Sequence, residues 1–156
     1  MAIQSPQQRP PDGGLLPALA GRLGYLMKHA HQRLTDLTGS ALAPFGISGR
    51  ELAVLIAIDD RAPLSQQEVA RRLGVDRTTM VALIDDLENK SLVQRRQDPG
   101  DRRKNVVILT NAGRVTLRRA SAVTEEAERW FLAPLSGAAG AAFTEALRAV
   151  AFPPGP

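Results

Sequence analysis

The stretch from residue 65 to residue 110 constrains the fold most, because it carries signals for helix starts and stops in a fixed order. Ser65 and, three residues later, Glu68 form a capping box, in which both side chains accept hydrogen bonds from free amides at a helix start. Gly74 supplies the left-handed residue with which a helix ends, and Asp76 can cap a second helix. A short helix, a glycine turn and a second capped helix predict a helix-turn-helix, whose second helix enters the major groove of DNA.

The first turns of that second helix carry side chains that can reach base edges and phosphates. Arginine can bind guanine through two hydrogen bonds, and threonine offers a hydroxyl or a methyl group, although the threonines can also simply satisfy the helix start. Small apolar side chains one turn later can touch thymine methyl groups or form neutral surface. The candidate DNA-reading residues of this helix are Arg77, Thr78, Thr79, Val81 and Ala82.

A basic hairpin is predicted directly after the helix-turn-helix. Residues 92–97 and 105–109 are runs of strand type, and the sequence DPGDRRK, rich in turn formers and charge, lies between them. Five of the ten residues from Arg95 to Lys104 are Arg or Lys, against two acids, Asp98 and Asp101. Such a wing can lie along the DNA backbone or reach into the minor groove, where the negative potential favours arginine.

Other side chains in this stretch can contact phosphate or serve structure alone. Side chains alternate along a strand, so only some basic residues of the wing are expected to face DNA. At the start of the first helix, amides and side chains can hold a phosphate or only cap the helix. These candidates are Arg95, Arg96, Arg102 and Lys104 in the wing, and Ser65, Gln66 and Gln67 at the helix start.

The segments LGVDRTTMVALIDDLENKSLVQRR and DPGDRRKNVVILT resemble the winged-helix core of the MarR family, bacterial repressors that respond to ligands. The resemblance covers residues 15–150 in architecture and residues 65–112 in motif detail, and the wing tip from Asp101 to Arg103 is its most diagnostic part. It implies that Arg103 enters the minor groove, with Asp101 as its orienting partner. It also implies a homodimer formed through the terminal helices, and a cleft for small aromatic effectors that are often phenols or carboxylates.

The second helix departs from the commonest pattern of that family. Many members carry a polar or basic residue at the positions of Val81, Ala82 and Asp86, where this chain has two apolar residues and an acid. Base-specific hydrogen bonds from this helix should therefore be few. More of the specificity is expected from the shape of the groove and from the wing.

Apolar spacing and helix breakers predict four further helices. A long amphipathic helix begins at Leu15 and ends at Pro44 and Gly46. A second capping box, formed by Ser48 and a glutamate three residues on, opens the next helix, in which Leu52, Leu55, Ile56 and Ile58 are expected to face inward. Thr110 caps a helix that ends near Leu132, and the last helix covers residues 138–151.

The fold is thus predicted to be mainly α, with six helices and a small β-hairpin wing. The first and last helices are apolar along one side, whereas the winged helix fills its own core, so these faces need a partner. A homodimer is the simplest answer, and Trp130 is expected in the core or in this interface. The predicted organisation is a disordered tail over residues 1–13 and a single domain over residues 14–152, with a winged helix-turn-helix core over 48–110 and dimerisation helices over 15–43 and 111–152.

Composition excludes several classes of protein. The chain has no cysteine, which excludes disulfides, thiolate metal sites and a cysteine peroxide sensor. It has no run of 18 apolar residues and no signal pattern at its N-terminus, so we expect a cytoplasmic protein without a membrane partner. The net charge of +4 indicates nucleic acid only weakly, because residues 65–110 hold nine Lys or Arg against seven Asp or Glu.

His29 and His31 are not expected to bind a metal, because residues two apart on a helix point to nearly opposite sides. No cofactor is predicted either. Both histidines flank the apolar stripe of the first helix, and either side can border the effector cleft that the resemblance implies. The effector candidates, by position only, are Tyr25, Met27, His29, His31 and Arg33, with surface or interface packing as the alternative for each.

These features predict a transcriptional regulator that binds double-stranded DNA at a near-palindromic operator as a homodimer. Repression, and release by a small aromatic ligand, follow from the resemblance alone. The alternative is a winged-helix module that serves as an architectural or protein-interaction element without sequence choice. An enzyme is not expected and no catalytic residue is assigned, because the chain lacks a cysteine nucleophile, a glycine-rich phosphate loop and a supported histidine, carboxylate and serine set.

Overall fold

Six helices and a three-stranded sheet make up the described part of the chain. The structure is a computed structural model that describes residues 17–59, 63–98, 100–101 and 105–154. The chain divides into two compact units, Met1–Arg33 and Leu34–Pro156, and the single domain over residues 14–152 stays a prediction. The helices are α1 (Leu23–Leu42), α2 (Gly49–Ile58), α3 (Gln66–Leu73), α4 (Arg77–Asn89), α5 (Asn111–Leu132) and α6 (Gly137–Ala151), and the strands are β1 (Leu64–Ser65), β2 (Val93–Gln97) and β3 (Asn105–Leu109).

Side-chain caps begin four of the helices where the sequence predicts them. In the two capping boxes the glutamate accepts a hydrogen bond of 2.8 Å from the amide of its serine. In the other two caps an aspartate or threonine oxygen accepts a hydrogen bond of 2.9 Å from the amide three residues on. Because these bonds satisfy amides that a helix leaves unpaired, they determine where each helix begins. The four capping residues are Ser48, Ser65, Asp76 and Thr110.

The predicted wing hairpin is present and is joined by a third strand. β2 pairs antiparallel with β3, so that Val93 lies opposite Leu109. β1 pairs with the other edge of β3, which gives the strand order β1-β3-β2. β1 was not predicted, because its two residues, Leu64 and Ser65, are too few for an alternating pattern. β1 leads directly into α3 and therefore ties the start of α3 to the wing.

The first helix begins later than predicted. Its start was expected at Leu15, which lies outside the described residues, whereas α1 begins at Leu23 after a 3-10 turn over Pro17–Leu19. A glycine follows this turn at position 21 and favours a break, because glycine loses more freedom than other residues when it joins a helix. The end at Leu42 agrees with the predicted breakers, since a 3-10 turn with a proline follows and Gly46 adopts a left-handed φ of 64°.

The hydrophobic core of the unit 34–156 is formed by Leu42 at the end of α1 and by side chains of α2 to α5 and of the sheet. Met80, Ile84 and Leu87 of α4 are fully buried, which confirms the apolar spacing of that helix. One expectation was wrong: Ile56 is 56% exposed, because it lies outside the arc of α2 that the rest of the core covers. Trp130 is 63% exposed and so does not belong to this core, and its expected place in an interface stays a prediction.

The last two helices carry a row of large apolar side chains that stay exposed. Among them, Leu147 is 45% exposed, Val150 69% and Phe152, directly after α6, 80%.

No single helix in the described part of the chain is long and apolar enough to cross a membrane. One bent pair of helices, residues 23–45 with 49–58, reaches the required length and apolar composition only when the two are taken together.

Candidate nucleic-acid interface

The start of α4 presents its first residues to solvent. Arg77 and Thr78 are exposed, directly after the cap at Asp76. Thr79 is half-buried, and its hydroxyl donates a hydrogen bond of 2.6 Å to Asp76. The bonds from the hydroxyl and amide of Thr79 hold the pKa of the Asp76 carboxyl below its ordinary value. Thr79 is therefore engaged in the cap, whereas Arg77 and Thr78 can reach a duplex; Ala82, one turn on, is also exposed.

A cleft of about 810 Å³, which we call the reading cleft, lies between the start of α3 and the start of α4. Side chains from both helix starts line it, and amides that remain free at a helix start attract anions. The cleft thus brings together two segments that the sequence analysis had selected separately. The predicted DNA-binding residues that line it are Ser65, Gln66, Gln67, Arg77 and Val81.

Three further polar residues line the reading cleft: Glu68, which belongs to the capping box, and two that were not predicted from the sequence, Arg71 and Asn105. Arg71 is exposed and lies four residues after Gln67, so helical spacing places both on one side of α3. This spacing is the signal that would have found Arg71. Asn105 is the exposed first residue of β3, and only the strand pairing brings it beside the helices. Both side chains can donate hydrogen bonds to phosphate.

The wing is described along its strands but not at its tip. Arg102, Arg103 and Lys104 lie outside the described residues, so their contacts with DNA and the orienting role of Asp101 stay predictions. Asp101 itself is half-buried. The carboxylate of Asp98 accepts a hydrogen bond of 2.7 Å from the amide two residues on, which makes a turn at the point where β2 ends.

Two neighbouring arginines of β2 differ in their surroundings. Arg96 is exposed, whereas Arg95 is half-buried and forms ion pairs with Asp85 and Glu88 of α4. Burial alone would lower the pKa of Arg95, but hydrogen bonds with Asp85 and Glu88 outweigh it, so the pKa lies above its ordinary value. The charge of Arg95 is thus engaged within the protein, and Arg96 is the better placed of the two to meet phosphate.

The effector candidates of the first unit lie on α1. Tyr25 is half-buried, while Met27, His29, His31 and Arg33 are exposed. The rings of Tyr25 and His29 lie 4.3 Å apart between centroids, as a spacing of four residues on a helix allows. Within the described residues, no group of three or more His, Asp or Glu side chains is placed to hold a metal ion. Ligand binding by these residues stays a prediction.

A second cleft, of about 430 Å³, lies between α2 and α5. Ile56 and Leu117 give it apolar surface, and Ser121 and Arg118 add a hydroxyl and a guanidinium. Asp59, at its edge, forms an ion pair of 3.4 Å with an arginine of α5. This cleft was not predicted, because Ile56 was expected in the core.

Comparison with known sequences points to one family. The sequence model of the MarR family matches residues 45–104, from the turn before α2 to the wing. The HTH-type transcriptional repressor NicR of Pseudomonas putida is 33% identical over 96 residues, which cover 62% of this chain and 61% of NicR, so the match spans less than two thirds of that relative. The transcriptional regulator HosA of Escherichia coli O111:H- is 30% identical over 98 residues, covering 63% of this chain and 73% of HosA.

Solved structures agree with this assignment over most of the chain. CouR of Rhodococcus jostii RHA1 bound to p-coumaroyl-CoA is 28% identical with a TM-score of 0.77, over 90% of this chain and 99% of that one. The repressor CouR bound to a 23-mer DNA duplex is 31% identical with a TM-score of 0.80, over 86% of this chain and 95% of that one. The protein therefore belongs to the MarR family of transcriptional regulators.

Proposed function

We propose that this protein is a transcriptional repressor that binds a near-palindromic DNA operator through α4 and the wing. The observation that carries the proposal is the reading cleft, in which the capped starts of α3 and α4 open on one surface beside the exposed Arg77 and Thr78. A helix whose first residues are exposed beside other anion-binding groups fits the major groove, where its side chains meet base edges. Such a regulator acts where bacterial DNA is, in the cytoplasm, and we assign it no enzymatic activity.

The exposed side chains of α4 also limit how the operator is read. Ala82 and Asp86 are exposed and Val81 is half-buried, so beyond Thr78 this helix offers few donors for base edges. We therefore expect Arg77 and the wing arginines other than Arg95 to contribute most of the affinity. Sequence choice should then depend in large part on the shape and deformability of the duplex.

A second copy of the chain is the proposed partner of the terminal helices. Trp130 of α5 and Val150 of α6 are among the exposed large apolar residues, and such a surface marks an interaction site. A dimer with two-fold symmetry would place two copies of α4 about one helical turn of DNA apart, roughly 34 Å. Sedimentation should therefore find a dimer at micromolar concentration, and a monomer there would contradict this part of the proposal.

The cleft between α2 and α5 is the proposed site for an effector. Its apolar side chains suit an aromatic ring, and Arg118 suits a carboxylate or phosphate group. The ligand of CouR, p-coumaroyl-CoA, contains both an aromatic ring and phosphate groups. Release of DNA requires that the ligand bind more tightly to a dimer whose two α4 helices no longer fit the operator.

The alternative function is a winged-helix module that binds DNA without sequence choice. The observation in its favour is the shortage of hydrogen-bond donors on the exposed surface of α4 beyond Thr78, where Ala82, Asp85 and Asp86 are exposed. Both functions predict binding that weakens as salt increases, because each depends on contacts to phosphate. They differ in whether the protein prefers one duplex over another.

The deciding experiment selects duplexes from a randomised library with the wild-type protein and then compares the selected duplex with a scrambled one in a titration at fixed salt. We expect a preference of at least about 1,000-fold for a near-palindromic sequence. Footprints on the DNA upstream of its own gene, repeated with a panel of aromatic carboxylates and their thioesters, test the response to an effector. Equal affinity for both duplexes would establish the alternative function instead.

A further inference from the structure

A three-residue ion-pair group, the arginine clamp, joins the wing to α4. It consists of Arg95 on β2 and of Asp85 and Glu88 on α4, and the guanidinium pairs with both carboxylates. Asp85 and Glu88 are three residues apart and therefore lie on one side of the helix. Glu88 also accepts a hydrogen bond of 3.1 Å from the amide of Arg95, so the strand is held through its backbone as well as its side chain.

The clamp also reaches the start of α3. The guanidinium of Arg95 lies 3.5 Å from the side-chain oxygen of Gln66, which lines the reading cleft. The side chain of Arg95 thus links its own strand, β2, to both helices that border the proposed DNA surface, α3 and α4. A planar guanidinium can do this because its donors point in several fixed directions, which a lysine ammonium does not reproduce.

The charges of the clamp argue against a direct contact with phosphate. Two carboxylates surround one guanidinium, so the group as a whole carries a net negative charge at neutral pH. The side chain of Arg95 is only 29% exposed, whereas Arg96 beside it is exposed. A phosphate that approached Arg95 would have to compete with Asp85 and Glu88 and would be repelled by both.

We infer that Arg95 is a positioning residue for sequence recognition, which holds the wing at a fixed distance from α4. A fixed distance allows α4 and the wing to enter adjacent grooves at once, because neither element has to be ordered when DNA binds. This inference rests on the proposed function. By charge alone, Asp85 and Glu88 oppose DNA binding. In this inference they favour specific binding, because they hold Arg95 in place.

The test is whether affinity for the selected duplex rises or falls when the two acids are removed. The double variant Asp85→Asn with Glu88→Gln is titrated with the duplex selected by the wild-type protein and with a scrambled duplex. Charge alone predicts tighter binding to both duplexes, because two negative charges are removed. The clamp predicts a loss of roughly tenfold for the selected duplex, the size expected for residues in direct contact, with unchanged or tighter binding to the scrambled one.

Glu125→Gln is the charge control, because Glu125 is exposed on α5, does not line the reading cleft and makes no ion pair with a described residue. It should leave the ratio of the two affinities unchanged. Urea unfolding of each variant confirms that the titrated protein is folded, and a loss of structure would weaken binding to both duplexes alike. The ratio of affinities is thus a readout that a purely structural role of the clamp would not change.

Two substitutions at Arg95 separate positioning from phosphate contact. Arg95→Lys keeps the charge but cannot pair with both carboxylates in the same way, so the clamp predicts a loss of preference and a phosphate contact predicts none. Arg95→Gln should leave the dependence of log K on log[salt] unchanged, whereas removal of a phosphate contact would lower its slope by about 1.

The outcomes for the inference and for the proposed function differ. If the wild-type protein shows no preference for any duplex, the proposed function is wrong. If the wild-type protein does prefer the selected duplex, but the double variant and Arg95→Lys keep that preference, the positioning role alone is wrong. Loss of preference in both variants, with Glu125→Gln unaffected, supports the inference.

Discussion

Gly113 of α5 packs directly against the backbone of Leu92, at the start of the wing. A Cβ atom at Gly113 would overlap the carbonyl oxygen of Leu92 and lie 3.0 Å from its carbonyl carbon. The same carbonyl accepts a hydrogen bond of 3.1 Å from the amide of Thr110, which caps α5. The contact therefore sets how closely α5 approaches the wing, and only glycine fits there.

Gly113→Ala should destabilise the protein by about 3 kcal/mol, the upper range for a methyl group forced into a packed site. The clash is with backbone rather than with a flexible side chain, so it cannot be relieved locally. The measurement is the free energy of unfolding in urea. Gly39→Ala is the control, because Gly39 lies within α1 with nothing near its Cβ position, and alanine should there add about 0.5–1 kcal/mol. Equal effects of the two substitutions would contradict the prediction.

Ser91 adopts a left-handed backbone with a φ of 58°, between α4 and β2. This conformation costs most residues more than it costs glycine, so Ser91→Gly should stabilise the protein by about 0.5–1 kcal/mol after the entropy of glycine is counted. The carbonyl of Ser91, which accepts a hydrogen bond of 2.7 Å from Thr110, is kept in the variant. The change is read from urea unfolding, with Ser91→Ala as a control that keeps the strain. A destabilised glycine variant would refute the prediction.

Glu51 of α2 is buried and forms an ion pair of 2.6 Å with Lys90, the residue directly after α4. Burial opposes its ionisation, but hydrogen bonds with Lys90 and Ser48 outweigh it and hold the pKa of Glu51 below its ordinary value of 4.5. The ionised carboxylate thus contributes stability that is complete above about pH 4.5 and is lost as the pH falls through the lower pKa of the folded protein.

Glu51→Gln should therefore lower the free energy of unfolding by about 2 kcal/mol at pH 7, because it removes hydrogen bonds to a charged group. The difference from the wild-type protein should shrink once the pH falls below 4.5. Urea unfolding at several pH values measures both. Glu145→Gln is the control, since Glu145 pairs with Arg148 on the surface, and such a pair contributes less than about 1 kcal/mol. A loss at pH 7 that persists undiminished at low pH would exclude the ion pair as its cause.

The relative weight of the wing and of α4 can be tested with one pair of alanine variants. Arg103→Ala should reduce affinity for the selected duplex more than Thr78→Ala does, because an arginine in the minor groove meets concentrated negative potential, whereas a threonine supplies one hydroxyl. The measurement is a titration at fixed salt. When it is repeated at several salt concentrations, Arg103→Ala should also lower the slope of log K against log[salt] by about 1. Equal losses would show that α4 carries as much of the binding as the wing.

The parts of the fold that could be predicted are those that depend on residues close together in the chain. The capping serines at 48 and 65, and the turn at Gly74, act within four residues, so their effect can be read from spacing. The exposure of Ile56 could not be predicted, because a helix of apolar residues does not reveal which of them its neighbours cover. The candidate DNA surface was predicted as separate segments, and Asn105 was missed because only strand pairing places it there.

By itself, the sequence determined where the helices of the winged helix begin and end, and which segments could meet DNA. Only the tertiary structure decided which charges remain available for that purpose. Arg95 and its neighbour Arg96 are equivalent in the sequence, yet Arg95 pairs with Asp85 and Glu88 and Arg96 does not. The physical reason is that a cap is made by groups joined through a few bonds, whereas an ion pair between a strand and a helix exists only after packing has brought them together.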